Sequence, residues 1–267
     1  MKKQILFFIY LIFCALIYGQ NFSTDGKILS MNDLYYNIDL ISDLKFLNDE
    51  FIIRNYDIGK KENNYVVSKN KINLKEDSDL SFITTDSGEK YLILASQDLI
   101  VLYEKDCKTP KIFGTHFSSE SEFIEYINPD CVTASSELKE NNYVYSGKNV
   151  CNLNLNEPWV EGIKGNGIGE NIQFYGNCTY LYFFNGYVSF EKPYLYKANS
   201  RVKKISISFP ENKLRKNIEV ELQDSPNPQK IDLGFRCTDL IEIKILEVYE
   251  GLKYDDTCVL GIVMKVY

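Results

Sequence analysis

The clearest pattern in the chain is an alternation of hydrophobic and polar residues in its second half. Every second residue is apolar in three five-residue segments, which begin at Ile205, Ile218 and Ile241. A two-residue period puts alternate side chains on one face of a strand, so each segment is predicted to be a β-strand with one buried face. A proline-rich turn is predicted at 224–228, because proline cannot donate to a strand ladder. Together these features predict a β-sandwich.

The first half carries shorter apolar runs about ten residues apart. Strands are predicted at 34–38, 51–53, 65–67, 72–74, 80–83, 91–94 and 99–103. Turns are predicted between them at 63–64, 69–70, 77–79 and 86–88, where Asn, Asp, Lys, Ser and Gly predominate. This spacing predicts an antiparallel meander, folded as a small barrel or sandwich.

The strand pattern is interrupted by Cys107-Lys108-Thr109-Pro110, where we expect a connector to begin. Ser119 and Glu122 have the spacing of a capping box, which predicts a short helical turn. We therefore divide the chain into an N-terminal β domain at 21–108, a linker at 109–127 and a second domain at 128–267.

Residues 1–20 have the pattern of an export signal. Lys2 and Lys3 precede an apolar run that ends just before Gly19. We expect a protein that is secreted or held in the periplasm or cell envelope. Cys14 raises the alternative of a lipid anchor, which we do not expect because Phe13 stands where a lipidation sequence needs a small residue. The run is short for a membrane span, and we expect no transmembrane segment.

Composition excludes several classes of protein. The chain has 267 residues, 45% of them hydrophobic, which is not the profile of a disordered protein. Its formal net charge of -7 argues against a nucleic-acid partner. With one histidine and no known catalytic motif, we expect no enzyme activity, no metal and no cofactor.

Six cysteines follow the predicted signal, at positions 107, 131, 151, 178, 237 and 258. Outside the cytoplasm an even number suggests disulfides, and six cysteines allow fifteen pairings. Spacing does not choose among them, and buried free thiols are the alternative.

One segment of the second half stands out, running from Trp159 to Glu170. It contains the only tryptophan of the chain, four glycines and two acids. It is followed by Asn185-Gly186-Tyr187 and by a basic stretch that ends at Lys204. Its Gly165-Asn166-Gly167-Ile168-Gly169 sequence lacks the third glycine of a nucleotide-binding loop, since Glu170 stands there, and it precedes a predicted strand.

These motifs, with Ala134-Ser135-Ser136 before them and Tyr254-Asp255-Asp256-Thr257-Cys258 after them, stand in an order that resembles the discoidin-like (coagulation-factor type C-like) domain. The version resembled is the glycan-binding and translocation domain of secreted bacterial NAD glycohydrolase toxins. The resemblance covers about 128–267 and implies a jelly-roll β-sandwich that meets carbohydrate with loops at one end. The NAD-cleaving domain has no counterpart here. Residues 151–158 lack the aspartate-glycine pair and threonine common in such domains, so a cation site is not implied.

Aromatic rings can cover the apolar face of a sugar while polar side chains take its hydroxyl groups. On this basis the candidate glycan-binding residues are Trp159, Glu161, Tyr187, Asn199 and Arg201. The alternative is a structural role, in which the tryptophan fills the core and Arg201 or Glu170 fixes loops. Tyr194 and Tyr196 are expected to be packing residues.

The sequence leaves three alternative hypotheses for the function of the protein. The first is an exported, non-enzymatic protein whose C-terminal domain binds a glycan or glycoconjugate. The second is an envelope-associated module that contacts another envelope or host-surface protein and binds no sugar; it predicts that Trp159 and Arg201 variants lose stability rather than binding. The third is hydrolysis by two acids in a groove between the halves, which requires carboxylates about 5–9 Å apart.

Overall fold

The protein is described here by a computed structural model that covers residues 50–55, 66–72, 80–84, 90–96, 99–114 and 123–266. Regular structure in these residues is almost entirely β-strand, which confirms the predicted all-β class. The predicted signal sequence, Cys14 and the strand predicted at 34–38 lie outside the described residues.

The first half forms a six-stranded antiparallel meander in which neighbours in sequence are neighbours in space. Its strands are β1 (Glu50–Asn55), β2 (Val66–Ile72), β3 (Ser81–Thr84), β4 (Lys90–Ala95), β5 (Leu99–Glu104) and β6 (Lys111–Gly114). Closure of this sheet into a barrel is not seen among the described residues.

The turn predicted at Lys69-Asn70 is wrong, because both residues lie within β2. Lys69 pairs with Ile52, and Asn70 pairs with Phe51. Hydrogen bonds to β1 hold this polar dipeptide in an extended conformation, so tertiary pairing overrides its local turn preference.

The predicted linker contributes a strand to each half of the structure. Lys111–Gly114 is β6 of the meander, whereas Phe123–Tyr126 is a further strand, β7, that pairs with the last strand of the chain. The helical turn predicted at Ser119 to Glu122 lies outside the described residues, and Phe123 directly after it begins β7. The proposed domain boundary therefore stays a prediction.

The second half contains the remaining eleven strands. They are β8 (Thr133–Ala134), β9 (Leu138–Glu140), β10 (Tyr143–Tyr145), β11 (Trp159–Val160), β12 (Asn171–Tyr175), β13 (Cys178–Asn185), β14 (Ser200–Ser208), β15 (Ile218–Glu221), β16 (Gln229–Cys237), β17 (Leu240–Tyr249) and β18 (Thr257–Val266). Short 3₁₀ turns cover Pro129–Cys131 and Gly147–Cys151, and one short α-helix covers Leu195–Ala198.

These strands form the two layers of a sandwich, joined by β18. One layer has the order β16-β13-β18-β7, and the other has the order β15-β14-β17-β12-β8. The beginning of β18 pairs with β11 and runs parallel to β14, while its later residues pair with β13 and β7. Strands β9 and β10 form a separate hairpin.

The alternation seen in the sequence is confirmed. Ile205, Ile207, Ile241, Ile243 and Ile245 are all buried between the layers. The intervening polar residues of β14 and β17 are only partly buried. A side-chain period of two therefore does set which face of each strand enters the core.

The sheet that contains β13 is buried on both faces. Leu181 and Phe183 point into the sandwich core, whereas Tyr182 and Phe184 belong to a second apolar cluster. That second cluster also contains residues of the meander region: Leu80, Leu92, Leu94, Leu99, Val101 and Tyr103. Part of the first half thus packs as a third layer on the outside of the sandwich.

All six cysteines of the described residues are free thiols. The interpretation of the even cysteine count as disulfides is therefore not supported, and the alternative of free thiols fits. Four of them, Cys151, Cys178, Cys237 and Cys258, are buried in the sandwich. Burial raises the pKa of the Cys151 and Cys178 thiols to about 12, so both are protonated at neutral pH.

Candidate functional site

Trp159 lies inside the sandwich, not on its surface. The residue is 1% exposed, and its indole Nε1 donates a hydrogen bond to the carbonyl oxygen of Ser136 at 2.9 Å. Its backbone pairs with Val259 in β18. The expectation of an open ring at this position is not met, because closing β11 against β18 turns the ring into the core.

Glu161 is fully buried and acts as an internal cap for the glycine-rich loop. Its Oε2 accepts a hydrogen bond from the Ile163 backbone at 2.9 Å, and its Oε1 accepts one from the Thr257 backbone at 3.2 Å. A Cβ on Gly167 would lie 2.4 Å from the Glu161 Cγ, and the φ of Gly167 is +68°. Glycine is therefore required there by both contact and backbone conformation.

The pKa of Glu161 is raised mainly by burial, with Asp256 and Glu170 adding to the effect. The two backbone N–H groups act in the opposite direction by stabilising the charged form.

Arg201 is also occupied by internal contacts. Its Nε donates to Asp224 Oδ1 at 3.0 Å, and its Nη2 donates to Asp224 Oδ2 at 2.8 Å. Its Nη1 donates to the carbonyl oxygens of Asn199 at 2.8 Å and Glu250 at 3.0 Å. The side chain joins three loops and is only 4% exposed as a residue, so it has no donor directed at a ligand.

Two of the five candidate residues, Tyr187 and Asn199, line a pocket at one end of the sandwich. The Tyr187 hydroxyl donates to the Asn156 carbonyl at 3.1 Å. The Asn199 Nδ2 donates to the Leu195 carbonyl at 2.9 Å, which caps the short helix. Tyr187 is partly exposed, whereas Asn199 is buried. A ligand in the pocket would therefore contact the tyrosine ring more readily than the Asn199 amide.

We call this cavity the hairpin pocket, because the β9–β10 hairpin forms one of its walls. Its volume is about 240 Å³. Besides Tyr187 and Asn199, its polar and aromatic lining consists of Glu140, Tyr145, Lys192, Tyr254 and Asp256. The remainder of the lining is aliphatic and comes from Leu138, Val160 and Leu195.

Two tyrosines of the hairpin pocket, Tyr145 and Tyr187, belong to a connected set of rings. Tyr145 meets Tyr187 edge to face with centroids 6.2 Å apart, and Tyr143 meets Tyr145 in the same way at 4.8 Å. Burial is the main cause that raises the pKa of Tyr187, so its phenol is neutral at physiological pH.

Two acids give the hairpin pocket its electrostatic character. The pKa of Asp256 is raised by burial first, then by the carboxylate of Glu140 and that of Asp255. Glu140 and Asp256 are therefore close enough to repel each other when both are ionised. Lys192 is the one cation in the lining.

Most of the pocket lining is not among the residues that the sequence suggested, and the five suggested glycan contacts stay a prediction. Glu140 and Tyr145 come from a hairpin whose turn, Asn141-Asn142, has positive φ at both residues. An Asn-Asn pair directly before the apolar run Tyr143-Val144-Tyr145 was the available signal for that hairpin. Tyr254 and Asp256 were part of a recognised motif but were not chosen as site residues.

In the motif Asn185-Gly186-Tyr187, the first two residues have structural contacts and the third lines the hairpin pocket. The Asn185 side chain is buried and exchanges two hydrogen bonds with the backbone of Val202 at 2.6 and 2.9 Å. Gly186 has φ +78°, and a Cβ there would lie 2.5 Å from the Tyr196 ring. This packing aims Tyr187 at the hairpin pocket.

Among the described residues, no group of three or more His, Cys, Asp or Glu side chains could hold a metal ion. Within the same residues, no helix is both long and apolar enough to span a membrane.

Comparison with solved structures finds several similar domains. A family 32 CBM from C. perfringens NanJ in complex with galactose is 11% identical, covers 54% of this chain and 99% of its own, and has a TM-score of 0.38. The CBM32 of AlyQ in complex with 4,5-unsaturated mannuronic acid is 15% identical over 53% of this chain and 96% of its own, with a TM-score of 0.36. The Streptococcus pyogenes NAD+-glycohydrolase translocation domain is 22% identical over 42% of this chain and 93% of its own, with a TM-score of 0.30.

Comparison with curated protein sequences finds no match. Comparison with protein families finds one that matches residues 125–265, which is just over half of the chain and includes the whole hairpin pocket. By this match the chain belongs to the NAD glycohydrolase translocation F5/8 type C domain family.

Proposed function

We propose that this chain is an exported, non-enzymatic protein that binds carbohydrate in the hairpin pocket. The observation that carries the proposal is the lining of that pocket, where three tyrosines lie beside carboxylate, ammonium and amide groups. Aromatic rings offer a surface for the C–H face of a pyranose, and the polar groups can exchange hydrogen bonds with its hydroxyls. This pairing of apolar and polar groups is what a sugar requires.

The size of the hairpin pocket fits a single sugar unit. Pockets for drug-sized ligands have volumes of about 300–1,000 Å³. At about 240 Å³, this one lies just below that range. We therefore expect the pocket to hold the terminal sugar of a glycan, with the remaining sugars of that glycan in solvent.

Two of the three pocket tyrosines are held in place before any ligand arrives. Tyr187 is fixed by its hydrogen bond to Asn156 and by its edge-to-face contact with Tyr145. A platform that is already ordered loses little conformational entropy on binding, which favours affinity.

The proposed roles of the original five candidates therefore separate into two groups. Tyr187 and Asn199 are proposed to contact sugar. Trp159, Glu161 and Arg201 are proposed to support the loops around the pocket, since they are buried and are not part of its lining.

A glycan array with the folded full-length chain tests the proposal. We expect binding that is lost in Tyr254→Ala and weakened in Glu140→Gln. Tyr175→Ala is the matched control, because Tyr175 is an exposed tyrosine on β12 outside the hairpin pocket. An array without signal, or equal binding by Tyr254→Ala and wild type, would overturn the proposal.

The second candidate function is contact with an envelope or host-surface protein, without sugar binding. The internal contacts of Trp159 and Arg201 favour it, because these two residues stabilise the shape of the sandwich and do not reach toward a ligand. It predicts a blank glycan array for a chain that is correctly folded. The same array experiment therefore separates the two functions.

Hydrolysis is the alternative raised by the two acids in the hairpin pocket. A glycosidase needs one carboxyl group that is protonated near neutral pH and a second that is ionised. We propose binding without cleavage, with both acids as hydrogen-bond partners of the sugar. Appearance of new reducing ends from a bound glycan, abolished in Asp256→Asn, would show that the protein is an enzyme instead.

Export is proposed from residues 1–20 alone. Cleavage after residue 20 would remove the apolar run and leave the sandwich outside the cytoplasm. The N-terminal sequence of protein recovered from the culture medium or periplasm tests this. Recovery of the chain with Lys2 and Lys3 still attached would contradict it.

A further inference from the structure

The charges of the hairpin pocket point to a narrower class of sugar than its shape alone. Its lining contains two carboxylates, from Glu140 and Asp256, and one ammonium group, from Lys192. The excess charge is therefore negative, and a third acid, Asp255, raises the pKa of Asp256 from close by. A ligand with a positive charge gains from this field, whereas a negatively charged ligand loses.

Arg201, which binds the backbone of the pocket-lining Asn199, does not change this charge balance. Acidic sugars are best held by a guanidinium group, which pairs with a carboxylate through two parallel hydrogen bonds. Arg201 already makes that pair with Asp224, and its Nη1 donates hydrogen bonds to the backbone carbonyls of Asn199 and Glu250. No guanidinium group is among the pocket-lining residues.

We propose that the hairpin pocket selects sugars that carry a free amino group over the corresponding neutral and acidic sugars. This inference rests on the proposed carbohydrate-binding function. The ammonium group of the sugar lies between Glu140 and Asp256 and relieves their mutual repulsion. The sugar ring then faces the tyrosines, whose π faces also attract a cation.

Lys192 opposes this preference and makes it testable in both directions. Removing a carboxylate with Glu140→Gln should reduce the preference for the amino sugar. Removing the ammonium group with Lys192→Gln should increase it. Both residues are solvent-exposed on the pocket rim, so neither substitution disturbs the core.

The experiment measures affinity by titration calorimetry for three matched sets of monosaccharides. Each set contains a neutral hexose, its 2-amino form and its uronic acid, built on glucose, galactose and mannose. In the set with the best fit, we expect the amino sugar to bind about tenfold more tightly than the neutral sugar, because a hydrogen bond to a charged group is stronger than one between neutral groups. The uronic acid should bind more weakly than either.

Salt and the two rim variants complete the test. High salt should reduce the preference, because the Debye length falls to about 3 Å at 1 M ionic strength. Glu140→Gln should lower the ratio of affinities, and Lys192→Gln should raise it. Tyr175→Ala should leave the ratio unchanged.

The outcomes separate this inference from the function on which it rests. If neutral and amino sugars bind equally well and neither rim variant changes the ratio, the selectivity is wrong and carbohydrate binding stands. If an acidic sugar binds best, the selectivity is also wrong. If none of the nine sugars binds, the selectivity is wrong, and if the glycan array is blank too, the carbohydrate function itself fails.

Discussion

Arg201 and Asp224 form a bidentate ion pair, with both nitrogen–oxygen distances between 2.8 and 3.0 Å. Asp224 belongs to the turn before β16, and Arg201 lies at the start of β14. Lys197 also binds Asp224 at 2.8 Å, which ties in the short helix. The pair therefore holds together the loops that carry Asn199 to the hairpin pocket.

Loss of this pair should destabilise the protein. We expect Arg201→Lys to lower the free energy of unfolding by about 2–4 kcal/mol, because a lysine cannot replace the planar fork or the bonds to the carbonyls of Asn199 and Glu250. The measurement is urea-induced unfolding. Lys203→Gln is the matched control, since Lys203 lies on the same strand but pairs with Glu247 at the surface, where such pairs contribute little.

The same variant separates a structural role from a binding role. If Arg201 only supports the loops, glycan affinity measured well below the unfolding transition should follow the fraction of folded protein. A variant that keeps wild-type stability but loses binding would instead place Arg201 in contact with the sugar.

Two carboxyl groups, Asp224 and Glu161, should make the free energy of unfolding depend on pH in opposite directions. Burial acts to raise the pKa of Asp224, but hydrogen bonds from Arg201 and Lys197 outweigh it and lower the pKa below 3.8. On acidification the unfolded chain therefore takes up this proton first. The stability that Asp224 provides is present above about pH 4 and is lost as the pH falls through its folded pKa.

Glu161 behaves in the opposite way because its folded pKa is raised above 4.5. Its contribution is complete below the pKa of the unfolded chain and is lost as the pH rises through the folded pKa. We expect Asp224→Asn to flatten the rise of unfolding free energy with pH below about pH 4, and Glu161→Gln to steepen the rise at higher pH. Urea unfolding at a series of pH values measures both slopes; parallel curves for all three proteins would refute the assignment.

The contact between Glu161 and Gly167 predicts a coupling between two substitutions. Gly167→Ala should destabilise the protein through a positive φ and through contact with the Glu161 side chain. In a Glu161→Ala background the backbone strain stays, but the contact is gone. We therefore expect Gly167→Ala to cost about 1 kcal/mol less there than in wild type, as measured by a double-mutant cycle. Additive effects would mean that the loop relaxes without touching Glu161.

The sequence allowed prediction of what depends on local pattern. The alternation around Ile205 and Ile241 gave the strands and their buried faces, because side-chain direction in a strand has a fixed period. The linked motifs identified the sandwich. What the pattern did not contain was pairing between distant segments: Lys69-Asn70 forms a strand only because β1 lies beside it.

The dependence on distant partners also explains why the pocket lining was not predicted from the sequence. Residue type suggested Trp159 and Arg201 as ligand contacts, but burial is decided by distant partners, Val259 for the tryptophan backbone and Asp224 for the guanidinium. Glu140 and Asp256 are 116 positions apart in the chain. Only the fold, by placing the β9–β10 hairpin against the segment before β18, brings both acids to one pocket.

The packing of the meander on the sandwich predicts that both unfold together. Leu94 lies in β4, and Tyr103 in β5 donates a hydrogen bond to the buried Leu153 carbonyl at 2.7 Å. Both belong to one apolar cluster with Phe184 of β13. A cavity at Leu94 should therefore weaken the sandwich as well as the meander.

Leu94→Ala should lower the free energy of unfolding by about 2–5 kcal/mol, the usual range for a buried leucine. Trp159 is the only tryptophan and lies in the sandwich core, so its fluorescence reports on the sandwich alone, while far-ultraviolet circular dichroism reports on all strands. Both signals should shift to the same lower urea concentration. Leu214→Ala, at a fully solvent-facing position, should shift neither. If Leu94→Ala splits the two transitions and leaves the Trp159 signal at its wild-type midpoint, the meander is an independent unit whose contact with the sandwich contributes little to stability.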